Sequence, residues 1–448
     1  MLAILQQVRA GTLRLDDPVS DYIPAFTAPG SKYLIHWHDI TLRSLASYIS
    51  GIPNNLAQED LLDDVVEPAD FGLPVLSQAA LSALPSCALH AEAGLLCTTF
   101  ELLAGLAHEP PIFAPNAQAT YSNLAFELLG LVVANVTNMT YESYIQTAIF
   151  DPLGMTSSSF LPPDNDTHSV LPLGQLFFDI PLGVQNPTGG IFSTASDMAK
   201  YTQYVLANYN TLAKGVNWFL PTSPAGSGGS FYGMPWEIFR TEAILGSGRT
   251  TTFVTKDGGS PMYYSRVVFM PEYGLAATIL VGGELELLED LNEVVTVAIV
   301  KAAEKSVQAG VKSTYAGHYT DARTNTSVSL SMPAGEGLVI TALKVRGVDV
   351  LATPLPLYAG AVSLPSRAQL VPTGLFRDEA KQNGEIWRFV FVPERTSGGK
   401  KGVWDDFCST DEDQERYGGK PINEVVFLHG KNKMVLELSA WRVNVTRS

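Results

Sequence analysis

The spacing of hydrophobic residues changes near residue 314, and this change limits the possible folds more than any other feature of the chain. Before it, helical repeats and strand-like runs are both present, and a long amphipathic helix is predicted over Leu288–Lys305. After it, short strand-like segments recur between turn residues, without helical periodicity. We therefore predict two domains, residues 1–310 and 311–448. The first should be α+β, with helices flanking an antiparallel sheet, and the second an all-β antiparallel sandwich or barrel.

Runs of β-branched and aromatic residues mark the predicted strands of both domains. The first domain should contain three closely spaced strands, at Thr252–Lys256, Tyr264–Phe269 and Ala276–Val281. The second should contain seven, at Ser327–Met332, Gly337–Val345, Ala361–Ser366, Gln369–Phe376, Glu385–Val392, Glu424–Leu428 and Met434–Val445.

The composition argues against some classes of partner. The 448 residues are 46% hydrophobic and 17% charged, which is typical of a globular protein with substantial cores. A net charge of -16 argues against nucleic acid or an anionic membrane as the main partner. No apolar run approaches the roughly 18 residues of a membrane span, and Met1 is not followed by the pattern of a signal peptide.

The cysteines and histidines predict neither a metal site nor a disulfide framework. Cys87 and Cys97 lie in a loop-like stretch and could form one disulfide, which would leave Cys408 as the third cysteine, outside the pair. His36 and His38 would share one face of a strand, but two ligands do not make a zinc site.

Five Asn-x-Ser/Thr sequences are candidate sites of N-glycosylation. Such triplets also occur by chance, but together with a plausible disulfide they favour a secreted protein. The candidate residues are Asn135, Asn138, Asn165, Asn325 and Asn444.

Tyr121, Ser122 and Asn123 stand at the start of a helix that is apolar nearly all round, which predicts a buried position. A phenol and a carboxamide two residues apart at the mouth of such a helix can share one cleft. The other interpretation is a simple helix cap, which is the commoner meaning of so short a motif.

Lys256–Gly259, considered alone, would be interpreted as a hairpin turn, because an Asp-Gly pair between two strands favours such a turn.

Taken in order, six segments resemble the serine β-lactamase and penicillin-binding-protein superfamily, most closely its class C-like and eukaryotic members with a C-terminal β-domain. The resemblance runs from Met1 to about Lys305 and implies a β-lactamase/transpeptidase-like domain. It is carried by Gly11–Val19, Ile40–Leu45, Tyr121–Asn123, Pro152–Met155, Gly189–Thr194 and Lys256–Gly259.

The resemblance implies roles for five residues. Tyr121 would be a proton shuttle, and Asn123 would orient the substrate. Lys256 would be an electrostatic anchor that favours an anionic substrate. Gly258 would let a small-molecule or peptide-like carbonyl substrate approach, and the Gly259 N–H would bind the oxyanion. This chemistry uses groups of the protein alone, so the resemblance implies no cofactor and no metal.

The nucleophile motif of this family, Ser-x-x-Lys, occurs only at Ser397–Lys400. Two internal glycines would destabilise a catalytic helix there, so we interpret this segment as a loop. By resemblance, the catalytic serine would lie about two helical turns before Leu2, and therefore before Met1. We expect the greater part of a secreted hydrolase of esters, amides or lactams that begins late, lacks the family's opening helix and first two strands, and is inactive as given. The alternative is a non-catalytic protein that keeps the cleft as a binding or scaffold surface. No Gly-x-Ser-x-Gly motif supports a Ser-His-Asp hydrolase.

The same resemblance predicts an open sheet edge at Ala276–Val281. In the family this strand is paired by a segment before Met1. Without that pairing, the apolar residues Ile279, Leu280 and Val281 would lie on an unpaired edge, so the chain should be poorly soluble or self-associate through it.

Overall fold

The computed structural model describes most of the chain in two compact units. One unit comprises Met1–Glu242 with Thr250–Val300, and the other comprises Ala243–Arg249 with Lys301–Ser448. The predicted class, an α+β domain followed by an all-β domain, is confirmed. The boundary predicted at residue 310 stays a prediction, because one continuous helix passes through it. The described residues are 1–27, 33–56, 68–82, 96–164, 166–172, 178–179, 181–333, 335–358, 366–393, 413, 415–430 and 433–448.

Ten α-helices begin in the described part of the first unit. The last of them, α10, continues to Tyr315, beyond the predicted end at Lys305. A single π-helical turn, Gln146–Phe150, joins α6 to α7. The helices are α1 (Leu2–Ala10), α2 (Leu42–Ala46), α3 (Gln78–Leu81), α4 (Thr99–Leu106), α5 (Leu124–Thr137), α6 (Tyr141–Ile145), α7 (Asp151–Leu153), α8 (Asn186–Gly189), α9 (Ala195–Asn208) and α10 (Leu285–Tyr315).

Helix α5 is buried in the core of this unit, as its apolar sequence predicts. Leu124, Leu128 and Val132 are fully buried. The Ser122 hydroxyl caps the helix, because it accepts from the Ala125 N–H at 3.0 Å and donates to the Pro53 carbonyl at 2.6 Å. This pair of bonds ties the start of α5 to the loop after α2.

The sheet of the first unit has six antiparallel strands in sequence order. The three predicted strands are β4, β5 and β6, and three shorter strands that the sequence did not indicate precede them. In the described structure β6 is the last strand of the sheet and pairs with β5 alone. The strands are β1 (Ser223–Pro224), β2 (Ser230–Tyr232), β3 (Glu237–Thr241), β4 (Thr251–Ser260), β5 (Tyr263–Met270) and β6 (Leu275–Gly282).

The second unit contains a closed antiparallel barrel, one of the two predicted architectures. Its sheet runs in the order β10-β9-β11-β12-β15-β16-β17-β7-β8, and a further pairing of β8 with β9 closes it. Alternate inward residues such as Phe389, Phe427 and Val445 fill the interior. The strands are β7 (Gly317–Asp321), β8 (Thr326–Ser331), β9 (Val339–Val345), β10 (Val348–Asp349), β11 (Ser366–Asp378), β12 (Asn383–Pro393), β13 (Arg416–Tyr417), β14 (Lys420–Pro421), β15 (Glu424–His429), β16 (Met434–Leu438) and β17 (Val443–Arg447). Helix α11 (Leu355–Tyr358) lies between β10 and β11.

The strands of the second unit differ in part from those predicted. The single strand predicted over Met434–Val445 is wrong: a turn divides it into β16 and β17, with Arg442 at a φ of 54°. Strand β7 was not predicted. Of the predicted strand Ala361–Ser366, all but Ser366 lie outside the described residues.

Among the described residues, no single helix is long and apolar enough to cross a membrane. One sharply bent pair, Leu124–Thr137 with Tyr141–Leu153, meets the length and composition criteria only when the two are taken together.

Candidate active site

Tyr121 and Lys256 lie together although they are far apart in the sequence. Tyr121 lies three residues before the first residue of α5, Leu124, and Lys256 lies on β4. The Lys256 Nζ atom lies 5.1 Å from the centroid of the Tyr121 ring. At this distance a lysine ammonium is attracted to the face of an aromatic ring. The structure therefore brings together the two residues to which the resemblance assigns catalytic roles.

Glu237, at the start of β3, is the ion-pair partner of Lys256. The Lys256 Nζ atom lies 2.7 Å from Glu237 Oε1 and also donates to the Asp257 carbonyl at 2.9 Å. The other Glu237 oxygen accepts from the Asp257 N–H at 3.3 Å. Burial alone would lower the pKa of Lys256, but the Glu237 carboxylate and Tyr121 outweigh burial and raise this pKa. Lys256 is therefore held as a cation.

Tyr48 supports the ring of Tyr121. The two rings stack with centroids 4.9 Å apart and an interplanar angle of 22°, and the Tyr232 ring meets Tyr48 edge-on at 5.1 Å. Tyr48 is buried and has a φ of 61°, which is uncommon outside glycine. Burial raises the pKa of Tyr48 far above its usual value, and Tyr121 and Glu237 add to this effect. Tyr48 therefore stays a neutral phenol.

Asn123 has a separate set of partners in the loop after α2. Its Nδ2 atom donates to Asn55 Oδ1 at 2.9 Å, and its backbone N–H donates to Asn54 Oδ1 at 3.1 Å. It occupies the cap position of α5, but Ser122 rather than Asn123 provides the side-chain cap. This arrangement fixes the Asn123 carboxamide beside the asparagine pair.

Gly258 and Gly259 lie within β4, so the hairpin-turn interpretation of Lys256–Gly259 is wrong. The strand continues to Ser260. Gly258 pairs with Ser265 across the sheet, and a Cβ atom on Gly258 would lie 2.5 Å from the Ser265 hydroxyl oxygen. The absence of a side chain at this position lets the two strands keep their register.

A cavity of about 230 Å³ borders this part of β4. Lys256, Gly258 and Ser265 line it from the sheet, and Trp218 and Met1 line it from other elements. Met1 directly precedes α1, so the start of that helix lies at the cavity.

The structure describes only some of the other residues that were predicted to form disulfide, glycosylation or nucleophile sites. Cys87, Cys408, Asn165 and Ser397–Lys400 lie outside the described residues, so the pairing of Cys87 with Cys97 stays a prediction. No group of three or more histidine, cysteine or acidic residues that could hold a metal ion occurs in the described ranges. Four candidate glycosylation residues are exposed: Asn135, Asn138, Asn325 and Asn444.

Three residues of the site were not found from the sequence. Tyr232 lies on β2 and Glu237 on β3, two short strands with no clear alternating pattern. Tyr48 lies just beyond α2, which ends at Ala46, and takes a positive φ. Tyr48 meets Tyr121, Glu237 meets Lys256, and Tyr232 meets Tyr48. These contacts form only because distant segments come together, and local sequence patterns do not report them.

An antiparallel sheet in a unit with many helices, with Tyr121 and Lys256 side by side, is the arrangement expected of a β-lactamase-like domain. Residues 1–295 match the Beta-lactamase family, and residues 307–448 match the family described as Beta-lactamase-like-like, C-terminal domain. The chain therefore belongs to the Beta-lactamase family.

Two fungal relatives extend over nearly the whole chain. Probable hydrolase M10 of Phoma sp. is 32% identical over 465 residues, covering 99% of this chain and 76% of that protein. Probable hydrolase clz13 of Cochliobolus lunatus is 31% identical over 484 residues, with the same coverage of 99% and 76%. The penicillin-binding protein homologue from Pyrococcus abyssi, an octamer, aligns with a TM-score of 0.47 at 18% identity, covering 100% of this chain and 85% of that one.

Proposed function

We propose that the site around Tyr121 and Lys256 belongs to a serine hydrolase that cleaves an ester, amide or lactam through an acyl-serine. The contact of the Lys256 ammonium with the Tyr121 ring, in a chain of the Beta-lactamase family, is the observation that carries this proposal. A phenol held beside a cation is suited to shuttle a proton between a nucleophile and a leaving group.

Residues of this chain are assigned to the roles of proton shuttle, oxyanion donor and substrate orienter, but not to that of the nucleophile. A serine oxygen would bond to the substrate carbonyl carbon, and its proton would pass through Tyr121 to the leaving group. The Gly259 N–H would stabilise the oxyanion, Gly258 would allow close approach, and Asn123 would orient the substrate. Water would then release the acyl group from the serine.

The serine itself has no counterpart among the described residues of the site. The only Ser-x-x-Lys sequence in the 448 residues is Ser397–Lys400, which contains two glycines. We therefore propose that the chain as printed does not turn over substrate. A helical segment preceding Leu2 would enter the region of the cavity that Met1 and Lys256 both line.

The alternative function is a non-catalytic binding or scaffold protein. The absence of a usable Ser-x-x-Lys motif favours it, and the intact contacts of Tyr48, Tyr121 and Lys256 are compatible with a binding cleft. The genomic sequence ahead of Met1 discriminates between the two. An in-frame Ser-x-x-Lys supports the enzyme, and its absence supports the binding protein.

Equilibrium binding tests whether this region is the substrate cleft. The probe is phenylacetylglycine methyl ester, which the printed chain should bind without cleaving. Tyr121→Leu and Lys256→Met should each weaken binding about tenfold, because each removes one side of the Tyr121–Lys256 contact that shapes the site. Tyr417→Leu, at an exposed residue of the second unit, is the control and should have no effect. Binding that survives both cleft substitutions would contradict the proposal.

We also propose that the protein enters the secretory pathway, carries N-linked glycans and contains a Cys87–Cys97 disulfide. The exposure of Asn135, Asn138, Asn325 and Asn444 supports glycosylation. Treatment of the protein from its native source with an N-glycosidase should lower its mass. An unchanged mass would contradict the glycosylation.

A further inference from the structure

The charge of Lys256 is already balanced within the protein. Its ammonium is 2.7 Å from Glu237 Oε1, and both side chains are mostly buried, with 24% and 28% of their areas exposed. An ion pair in a partly buried position is screened less by solvent than one on the open surface. A ligand therefore meets a neutral pair rather than a free cation.

The ammonium also has little remaining capacity to bind a ligand. A lysine has three N–H donors. One donates to Glu237 and a second to the Asp257 carbonyl. The ammonium lies in addition against the Tyr121 ring, 5.1 Å from its centroid. A substrate carboxylate that bound Lys256 would have to displace Glu237 or lie beside it.

The neighbouring arginine does not supply a replacement cation. Arg266, on β5, donates from Nε to Asp257 Oδ1 at 2.6 Å and from Nη1 to Glu289 Oε2 at 3.1 Å. Lys256 and Arg266 are thus two cations bound to three carboxylates, those of Glu237, Asp257 and Glu289. The net charge of this group is negative, and it repels an anion.

We propose that Glu237 determines substrate class by neutralising Lys256, so that the site accepts an uncharged carbonyl compound, an ester without a free carboxylate, rather than an anionic substrate. This inference rests on the proposed function, and it reverses the anionic preference that the family resemblance implies. Lys256 then acts on Tyr121 and on the backbone of β4 instead of anchoring the substrate.

A matched pair of probes tests the proposal on the printed chain. Phenylacetylglycine methyl ester and phenylacetylglycine differ only by a methyl group and the charge that it removes. Isothermal titration calorimetry should show that the unmodified protein binds the ester at least about tenfold more tightly than the acid. Tighter binding of the acid, or equal binding of the two, would overturn the proposal and leave the proposed cleft in place.

The Glu237→Gln variant keeps the size and shape of the side chain, replaces one acceptor oxygen by an NH2 group and removes the charge. It should raise the affinity for the acid about tenfold and the affinity for the ester much less. Glu286→Gln removes one charge from an exposed position and should leave the ratio of affinities unchanged. If the ratio of ester affinity to acid affinity responds equally to both substitutions, the inference is contradicted.

If Glu237→Gln fails to fold, the ratio of ester affinity to acid affinity in the unmodified protein tests the inference by itself. Failure of both probes to bind contradicts the proposed function, and the inference falls with it.

Discussion

The ring of Tyr48 stacks on the ring of Tyr121, with centroids 4.9 Å apart. Tyr48 lies in the loop after α2 and holds a positive φ of 61°. Such a conformation costs free energy in a non-glycine residue, so the surrounding contacts must stabilise it. The loop after α2 thus supports the phenol that faces Lys256.

Replacing Tyr48 should affect ligand binding through Tyr121. Tyr48→Leu removes the stacked ring, and an aromatic pair contributes about 0.5–1.5 kcal/mol beyond the area it buries. We expect binding of phenylacetylglycine methyl ester to weaken roughly three- to tenfold. Tyr48→Phe retains the ring and is the matched control. Equal losses in the two variants would show that the stack does not position Tyr121.

Gly51 and Gly11 form a matched pair for testing the loop that follows Tyr48. Both have a φ of 76°, but a Cβ atom on Gly51 would lie 2.1 Å from the Phe113 carbonyl oxygen, whereas Gly11 has open space. Gly11→Ala should cost about 1 kcal/mol for the left-handed conformation alone. Gly51→Ala should cost about 3 kcal/mol or more, because backbone atoms must also shift. Urea unfolding measures both, and similar losses would contradict the steric argument.

Glu127 should make stability depend on pH. It is 3% exposed, and burial raises its pKa from 4.5 to about 7. The folded protein therefore binds more protons than the unfolded chain between these values. The stabilising contribution is complete below pH 4.5 and is lost as pH rises to 7, a change of roughly 3 kcal/mol.

The Glu127→Gln variant should lose this dependence. Its free energy of unfolding should exceed that of the unmodified protein at pH 8, and the two should converge near pH 4. Glu286→Gln, at an exposed glutamate, is the control. Parallel pH profiles for the unmodified protein and Glu127→Gln would refute the assignment.

The edge at β6 should promote self-association. Ile279 and Val281 pack with Leu288, whereas Leu280 is 44% exposed on the strand that ends the described sheet. An unpaired strand with an exposed apolar residue favours pairing with a second chain. Light scattering should therefore show oligomers that grow with concentration, and Leu280→Lys should reduce them. Leu375→Lys, at an exposed residue of β11, is the control. A monodisperse monomer of the unmodified chain would contradict this prediction.

Elements with a long, regular pattern could be predicted from the sequence. Helix α5 was found because its apolar residues are nearly continuous, and β4, β5 and β6 because β-branched and aromatic residues cluster there. The turn that divides β16 from β17 was missed because it contains no glycine or proline, and Arg442 takes the positive φ.

The partners within the site could not be predicted in the same way. The Glu237–Lys256 pair depends on the register of β3 with β4, in which Glu237 pairs with Thr255. Nothing local to Trp236-Glu237-Ile238 indicates this register. The family resemblance placed Tyr121 and Lys256 at one site, but it carried no information about the residue that neutralises the lysine.

The most direct test of the proposed chemistry is intact-protein mass spectrometry of the printed chain after incubation with benzylpenicillin and with p-nitrophenyl butyrate. An acyl-serine enzyme gains the mass of the acyl group, whereas a chain without the nucleophile does not. We predict no covalent adduct and no burst of p-nitrophenol. An acyl adduct mapped to any serine of the chain would contradict the account, and an adduct on Ser397 would contradict it most completely.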